Sequence, residues 1–484
     1  MYTHGVEVLT PDGVGGPFLL KSDDTGWTGT RPFVVGTGDG GELAQFPASL
    51  SRFGTSDNLL LIAAGNPDMF MPRGGFGREW ASYTDGASFH EVGPKHPTDG
   101  NPRKGVACVP TGDEQLTCIP FRLQVDTSVP GNRSGVAVAH VWQAGSASGP
   151  PTRMVGTVNV SVVLNGPGGT DGPQYPSHWG FVPDMVTPIA MEKEWLLTMY
   201  GDRNPQRNED KAGPPQYDLV ALTSPRSDGK RWRQKALIKN NTGLDNTSSG
   251  PCSAPSENDM VQLPGGAMAV FYRNEAGPSH GYSTDVPLCV QLSRSGGEHW
   301  SPPCQLSAAG GSSGVPHGVE PKVLLVGQWL VVISGRNGLF AHYTNVSNVA
   351  SLSACKPVRW SVFNIAQHHN RFVSGTPQAF SNATVAGTGG GDETTGYMGA
   401  ILTSDARGIV ICYDRTVSHA AQAGKGEIVE STMHYNTICK IVKLLVLLSV
   451  SLTPVSLLQT ALRSGRRLEH GHSSGSRPNG AEAV

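Results

Sequence analysis

Ser293-Arg-Ser-Gly-Gly297-Glu-His-Trp300 is the stretch whose reading decides the fold. Its pattern occurs twice more, as Ser82-Tyr-Thr-Asp-Gly86-Ala-Ser-Phe89 and as Pro225-Arg-Ser-Asp-Gly229-Lys-Arg-Trp232. Each copy has a small polar residue third, glycine fifth and an aromatic eighth. These are the parts of a hairpin turn: glycine takes a backbone conformation that other residues resist, and the short polar side chain bonds nearby amides. The aromatic is then placed to plug the space between neighbouring sheets. Trp232 and Trp300 are 68 residues apart, a poorer fourth copy ends 60 residues later at Trp360, and Phe89 to Trp232 is 143, room for two units. Hairpin turns recurring at such intervals predict a β-propeller.

A second repeat runs alongside the first. Glu257 and Arg273, in SENDMVQLPGGAMAVFYR, have the same spacing as Glu320 and Arg336, in VEPKVLLVGQWLVVISGR, 63 residues further on. Each run reads as two antiparallel strands joined by a short turn, at Pro264-Gly-Gly266 or Gly327-Gln328. The composition agrees. Glycine (62) and proline (36) make up about a fifth of the 484 residues, and both are poorly tolerated inside helices. No sizeable stretch before residue 440 reads as an amphipathic helix. Apolar residues come in short runs, such as Leu59–Ala64, Val136–Val141, Val323–Ile333 and Ile409–Tyr413. The expectation is an all-β chain, a six-bladed propeller of four-stranded antiparallel blades near 44–92, 104–165, 178–240, 252–308, 314–366 and 371–416. Residues 1–43 are expected to help close the ring, and 417–443 to form a linker.

The three turns resemble the Asp-box of sialidases, S-x-D-x-G-x-x-W, with Thr84 or a serine where that family usually has aspartate. The resemblance covers roughly residues 44–416 and implies a sialidase-like glycoside hydrolase acting on a terminal acidic sugar of a glycan. It also implies a site over the central channel, built from several blades. A carboxylate beside the anomeric carbon repels a carboxylate nucleophile, so sialidases use a neutral tyrosine whose proton a glutamate takes. Arginines hold the sugar's carboxylate, because a planar guanidinium pairs with it bidentately and keeps its charge.

Carried over residue by residue, the resemblance makes Tyr397, in Gly396-Tyr397-Met-Gly, the nucleophile. Glu257 is then its activator, Asp68 the acid/base, and Arg273 and Arg336 the carboxylate clamp. Each has a plainer reading too. Glu257 and Arg273 suit a pair tying adjacent strands, Arg336 a solvated turn residue, Tyr397 a core aromatic, and Asp68, after Asn66-Pro67, a turn residue. The family usually opens with Arg-Ile-Pro. Here the matching stretch is Gln45-Phe-Pro-Ala-Ser-Leu50, and Arg31 and Arg52 do not match. The missing charge-assisted contact, about 1.5–3 kcal/mol, motivates a second reading, a propeller that binds glycans or proteins without turnover. A polysaccharide lyase on the same scaffold is a third.

Net charge is −2 with no basic stripe, which excludes a nucleic-acid partner on charge grounds. No cofactor or metal is expected, and His368-His369 reads as a solvated pair. Cys289 with Cys304, and Cys108 with Cys118, sit symmetrically about turns, within reach of a disulfide or as buried thiols. Six sequons, at Asn132, Asn159, Asn240, Asn246, Asn345 and Asn382, lean toward the secretory pathway or cell surface. The N-terminus lacks a signal-peptide pattern, which leaves a cytoplasmic chain as the alternative. Leu444–Leu462 is nineteen uncharged residues followed by Arg463, Arg466 and Arg467, long enough for a transmembrane anchor. The tail 463–484 reads as disordered.

Overall fold

The computed structural model describes residues 27–36, 45–54, 56–65, 76–92, 96–97, 106–112, 114–120, 123–126, 134–165, 181–183, 185–201, 217–239, 252–275, 286–310, 314–336, 338–376, 378–388, 393–418 and 433–444. Asp68, the sequons at Asn132, Asn240 and Asn246, and everything from 445 onward lie outside them.

The described chain is all-β and propeller-like. It opens with β1 (Trp27–Gly29) and β2 (Phe33–Gly36). A first sheet holds β3 (Gln45–Arg52), β4 (Leu59–Gly65), β5 (Phe76–Ser82), β6 (His90–Glu91) and β7 (His96–Pro97). Next come β8 (Val106–Gly112), β9 (Gln115–Pro120), β10 (Gln124–Val125), β11 (Ser134–Gln143) and β12 (Arg153–Val163). They are followed by β13 (Phe181–Val182), β14 (Ile189–Ala190), β15 (Glu194–Gly201), β16 (Asp218–Pro225) and β17 (Arg231–Lys239). Two four-stranded sheets follow, β18 (Pro255–Gln262), β19 (Met268–Asn274), β20 (Cys289–Ser293) and β21 (Cys304–Gln305), then β22 (Val319–Val326), β23 (Trp329–Gly335), β24 (Phe340–Asn345) and β25 (Ser361–Asn364). The last sheet joins β26 (Met398–Leu402), β27 (Gly408–Ser418) and β28 (Met433–Leu444) to β1 and β2.

The expected six separate blades are corrected in one respect: the described strands form five hydrogen-bonded sheets. Ser161–Val163 of β12 pair in parallel with Arg231–Arg233 of β17, which fuses two antiparallel groups into one ten-stranded sheet. The innermost strands approach one another in the order β15, β18, β22, β26, β3, β8. Middle strands are covered on both faces by neighbouring sheets, so β16, β19 and β23 read as continuous apolar runs, whereas outer β17 alternates. The cores are clusters between stacked strand groups: two of them each draw on two sheets, and another lies between the two fused groups of the ten-stranded sheet.

The three repeated turns join β5 to β6, β16 to β17 and β20 to β21. Gly86, Gly229 and Gly297 have φ of 85°, 60° and 89°. In the first and third turns the serine Oγ accepts the glycine N–H, at 2.8 Å for Ser82 and 2.9 Å for Ser293. Pro225 has no hydroxyl, and its carbonyl accepts the Gly229 N–H instead. Each glycine also packs closely against a strand distant in sequence: a Cβ would press on Val410, Thr111 or Leu196 respectively. Trp232 and Trp300 cap the turns by donating their indole N–H to the carbonyls of Gly229 and Gly297.

Four sequence expectations change. First, 417–443 is not a linker throughout, since β27 runs to Ser418 and β28 occupies Met433–Leu444, pairing with β27, β1 and β2. Buried Lys440 interrupts the apolar alternation of β28 and hides it. Its ammonium donates to the Ile365 carbonyl, lies 3.3 Å from His368 Nδ1, and faces the rings of Phe363 and Tyr413. Second, Ile365–Val373 is a helix, α1, capped by Asn364, and α2 follows at Asn382–Ala386. Third, His368 and His369 lie on the buried face of α1 rather than in solvent; burial lowers their pKa values to about 2 and about 4, with Lys440 adding to the effect. No helix among the described residues is long and apolar enough to cross a membrane.

Fourth, Cys108 pairs with Cys118 as expected, but Cys289 and Cys304 pair with other cysteines. All eight form disulfides: Cys108–Cys118, Cys252–Cys289, Cys304–Cys355 and Cys412–Cys439. Register gives the reason. Cys108 lies directly opposite Cys118, and Cys412 opposite Cys439, but Cys289 faces Gln305 while Cys304 faces Val290. That one-residue offset sends the Cys289 and Cys304 side chains to opposite faces.

Candidate functional site

Three neighbouring sheets bring the site together. Between β18 and β19 the register slips from Pro255↔Asn274 to Asn258↔Tyr272, so Ser256 and Glu257 together oppose Arg273. The β22–β23 pair slips at the corresponding place, from Val319↔Gly335 to Lys322↔Ile333, which releases Glu320 and Pro321. Such bulges re-aim side chains. Here they lie on adjacent inner strands, and the Glu320 N–H donates to Glu257 Oε2 at 3.1 Å.

Glu257 is the hub. Its Oε1 accepts the Tyr397 hydroxyl at 2.9 Å, and its Oε2 accepts Arg273 Nη1 at 3.2 Å. Glu257 and Tyr397 are each 1 % exposed. Residues 140 apart in sequence thus share one hydrogen bond, and the sequence-derived order of Glu257, Arg273 and Tyr397 becomes a contact. Arg273 Nη1 is also 3.5 Å from Glu275 Oε1. Burial works against the Arg273 charge, but Glu257 and then Glu275 outweigh it and raise the pKa, so the guanidinium stays protonated. Its Nε and Nη2, both buried, find no hydrogen-bond partner among the described residues.

Arg336 belongs to the same group. Its guanidinium carbon lies 5.5 Å from the centre of the Tyr397 ring, and its Nε donates to the Thr395 carbonyl at 3.2 Å. Arg336 has φ 92° and Gly396 φ 79°, and the two backbones touch so closely that a Cβ on Gly396 would fall on the Arg336 backbone. Below them, fully buried Asp414 accepts the Thr394 hydroxyl at 3.0 Å and both the N–H and hydroxyl of Thr395 at 2.8 Å. Burial raises Asp414 to about 6, with the hydrogen bonds from Thr395 and Thr394 acting the other way. The Thr395 hydroxyl in turn accepts the Tyr397 N–H, at 3.2 Å. One carboxylate therefore holds the threonine that orients both Arg336 and Tyr397.

A second buried charge group adjoins the first. Asp259, two residues along β18 from Glu257, accepts the backbone N–H groups of Thr187 and Val323 at 2.8 and 2.9 Å. Burial raises its pKa, opposed by Lys322 and those amides. Lys322 donates to the Met185 carbonyl and lies 3.7 Å from Glu320 Oε1.

Asp68 lies outside the described residues, and of Gln45 only the backbone, opening β3, is described. Arg52 belongs elsewhere: it bonds Asp85 at 2.6 Å and the Leu402 carbonyl, locking the first repeated turn against the last sheet. Sequence reasoning missed Asp259, Glu275, Lys322, Thr395 and the role of Asp414. Glu320 was visible in the 63-residue repeat but went unassigned. No cluster of three metal-ligating side chains occurs among the described residues.

No family model matches the chain, and no curated protein does. Solved structures do align with it. A Dyadobacter fermentans protein of unknown function has a TM-score of 0.50 at 12 % identity, over 87 % of this chain and 99 % of its own. The likeness is one of fold. An α-L-arabinofuranosidase of Fusarium graminearum aligns at TM-score 0.45 and 14 % identity, over 84 % of this chain and 97 % of its own. The Trypanosoma rangeli sialidase aligns at TM-score 0.45 and 10 % identity, over 82 % and 55 %.

Proposed function

We propose that the chain is a glycoside hydrolase acting on a terminal acidic sugar of glycans, with Tyr397 and Glu257 as its reacting pair. The observation that carries this reading is the 2.9 Å hydrogen bond from the Tyr397 hydroxyl to Glu257 Oε1. A nucleophile within hydrogen-bond reach of its base, with the base oriented by further groups, is the general arrangement for covalent catalysis. Glu257 takes the phenolic proton as Tyr397 Oη bonds to the anomeric carbon. Asp68 gives a proton to the departing oxygen, and water then releases the sugar from the tyrosine. Arg273 and the Glu320 N–H hold Glu257 in place for this. The clamp for the sugar's acid group is Arg336 together with the Nε–Nη2 edge of Arg273, two adjacent donors suited to a carboxylate.

Taking the ten-stranded sheet as two fused blades, the scaffold of this site is a six-unit ring that β1, β2 and β28 close. The eight paired cysteines support an oxidising compartment, the secretory pathway or cell surface.

A second reading, a glycan-binding propeller without turnover, is favoured by one observation: Glu257 and Glu275 share the charge of Arg273. Sugar release from a fluorogenic sialoside and a fluorogenic uronide, with Glu257→Gln and Tyr397→Phe beside the unaltered chain, separates the two. Release that falls about 10²–10⁴-fold in Glu257→Gln supports the hydrolase. Full activity in either variant refutes the assignment. Binding of an acidic glycan with no release supports the second reading.

A further inference from the structure

Among the described strands, the hairpin of β11 and β12 leaves a strand edge unpaired. β12 pairs with β11 along its whole length, but among the described strands its other side pairs only through Ser161–Val163. From Arg153 to Asn159 the strand is exposed or half-buried and that side pairs with no described strand, and an exposed, β-branched edge invites pairing with another chain. Apolar exposure concentrates on the same hairpin. Val138 is 57 %, Val155 47 % and Val163 39 % exposed, three of the four exposed large hydrophobic residues described. Val138 and Val163 share one face of the hairpin, since Val138 lies opposite Asn159 and Val163 is four residues along β12 from it.

Asn159 is itself exposed and stands at the centre of that face, directly across from Val138. It opens the sequon Asn159-Val160-Ser161. The pairing of all eight cysteines is an independent observation for the oxidising compartment in which asparagine is glycosylated. We propose that Asn159 carries an N-linked glycan whose hydrated sugars cover the open edge of β12 and the valines around it, keeping the chain from associating through that edge. The other two described sequons lack this setting. The Asn345 side chain caps a helical turn by accepting the Ser347 N–H, and Asn382 begins the short helix α2.

The test uses the full chain secreted from a eukaryotic cell. Treatment with a peptide N-glycosidase followed by mass spectrometry is expected to find Asn159 converted to aspartate; an unmodified Asn159 overturns the proposal. Asn159→Gln and, independently, Ser161→Ala are then compared with the glycosylated chain by analytical ultracentrifugation, with circular dichroism confirming that each is folded. Both variants are expected to self-associate at least tenfold more tightly, and Val138→Lys added to Asn159→Gln is expected to restore the monomer. The enzymatically deglycosylated chain, which carries aspartate at 159, is measured beside them as a third form without the glycan. Deglycosylated chains that remain as monomeric as the glycosylated one overturn the covering role.

Discussion

Replacing Asp414 with asparagine tests whether the floor of the site is built as described. The carboxylate is fully buried, and burial moves it from 3.8 to about 6. Folding therefore favours its neutral form. The stability this group contributes is fully present below about pH 4 and is lost as pH rises through about 6. A shift of roughly two units corresponds to about 3 kcal/mol. Asparagine keeps the shape and an oxygen for the Thr395 N–H, and its amide meets hydroxyls that can turn to accept, so Asp414→Asn should fold. Urea unfolding of both chains from pH 4 to pH 7 isolates this group, because the buried histidines contribute equally to each. The variant is expected to gain about 3 kcal/mol on the native chain as pH rises across that range. A stability difference that stays flat with pH would refute the reasoning and mean that the three hydrogen bonds outweigh burial.

Arg273→Met strands Glu257 and Glu275 in a buried place without their shared cation, and should cost about 3–5 kcal/mol in urea unfolding at neutral pH. Gly396→Ala places a methyl group on the Arg336 backbone at a positive φ. It should cost about 1–3 kcal/mol, measured the same way, and lower any glycosidase activity by moving Tyr397 and Arg336.

The sequence carried the architecture where a residue's identity tracks a backbone requirement. Gly86, Gly229 and Gly297 marked three real turns, because each has positive φ and each packs closely against a strand distant in sequence. Glu257, Arg273 and Tyr397, singled out by the resemblance, are brought together by hydrogen bonds. What spacing could not supply was register. Cys289 and Cys304 looked equivalent to Cys108 and Cys118, yet a one-residue offset separates their side chains. Residue type misled elsewhere. Polar His368 and His369 lie on the buried face of α1, and buried Lys440 disguised β28 as linker. Glu320 and Asp414 went unassigned because their roles depend on contacts between strands far apart in the chain.

In the proposed reaction the Tyr397 Oη is the atom that bonds to sugar. The most direct measurement is mass spectrometry of the chain after incubation with an activated glycoside carrying fluorine beside the anomeric carbon, which slows release of a covalent intermediate. One sugar attached to the Tyr397 peptide, and none in Tyr397→Phe, is the expected result. A label on Glu257 or another carboxylate, or substrate turnover with no labelled tyrosine, would contradict it.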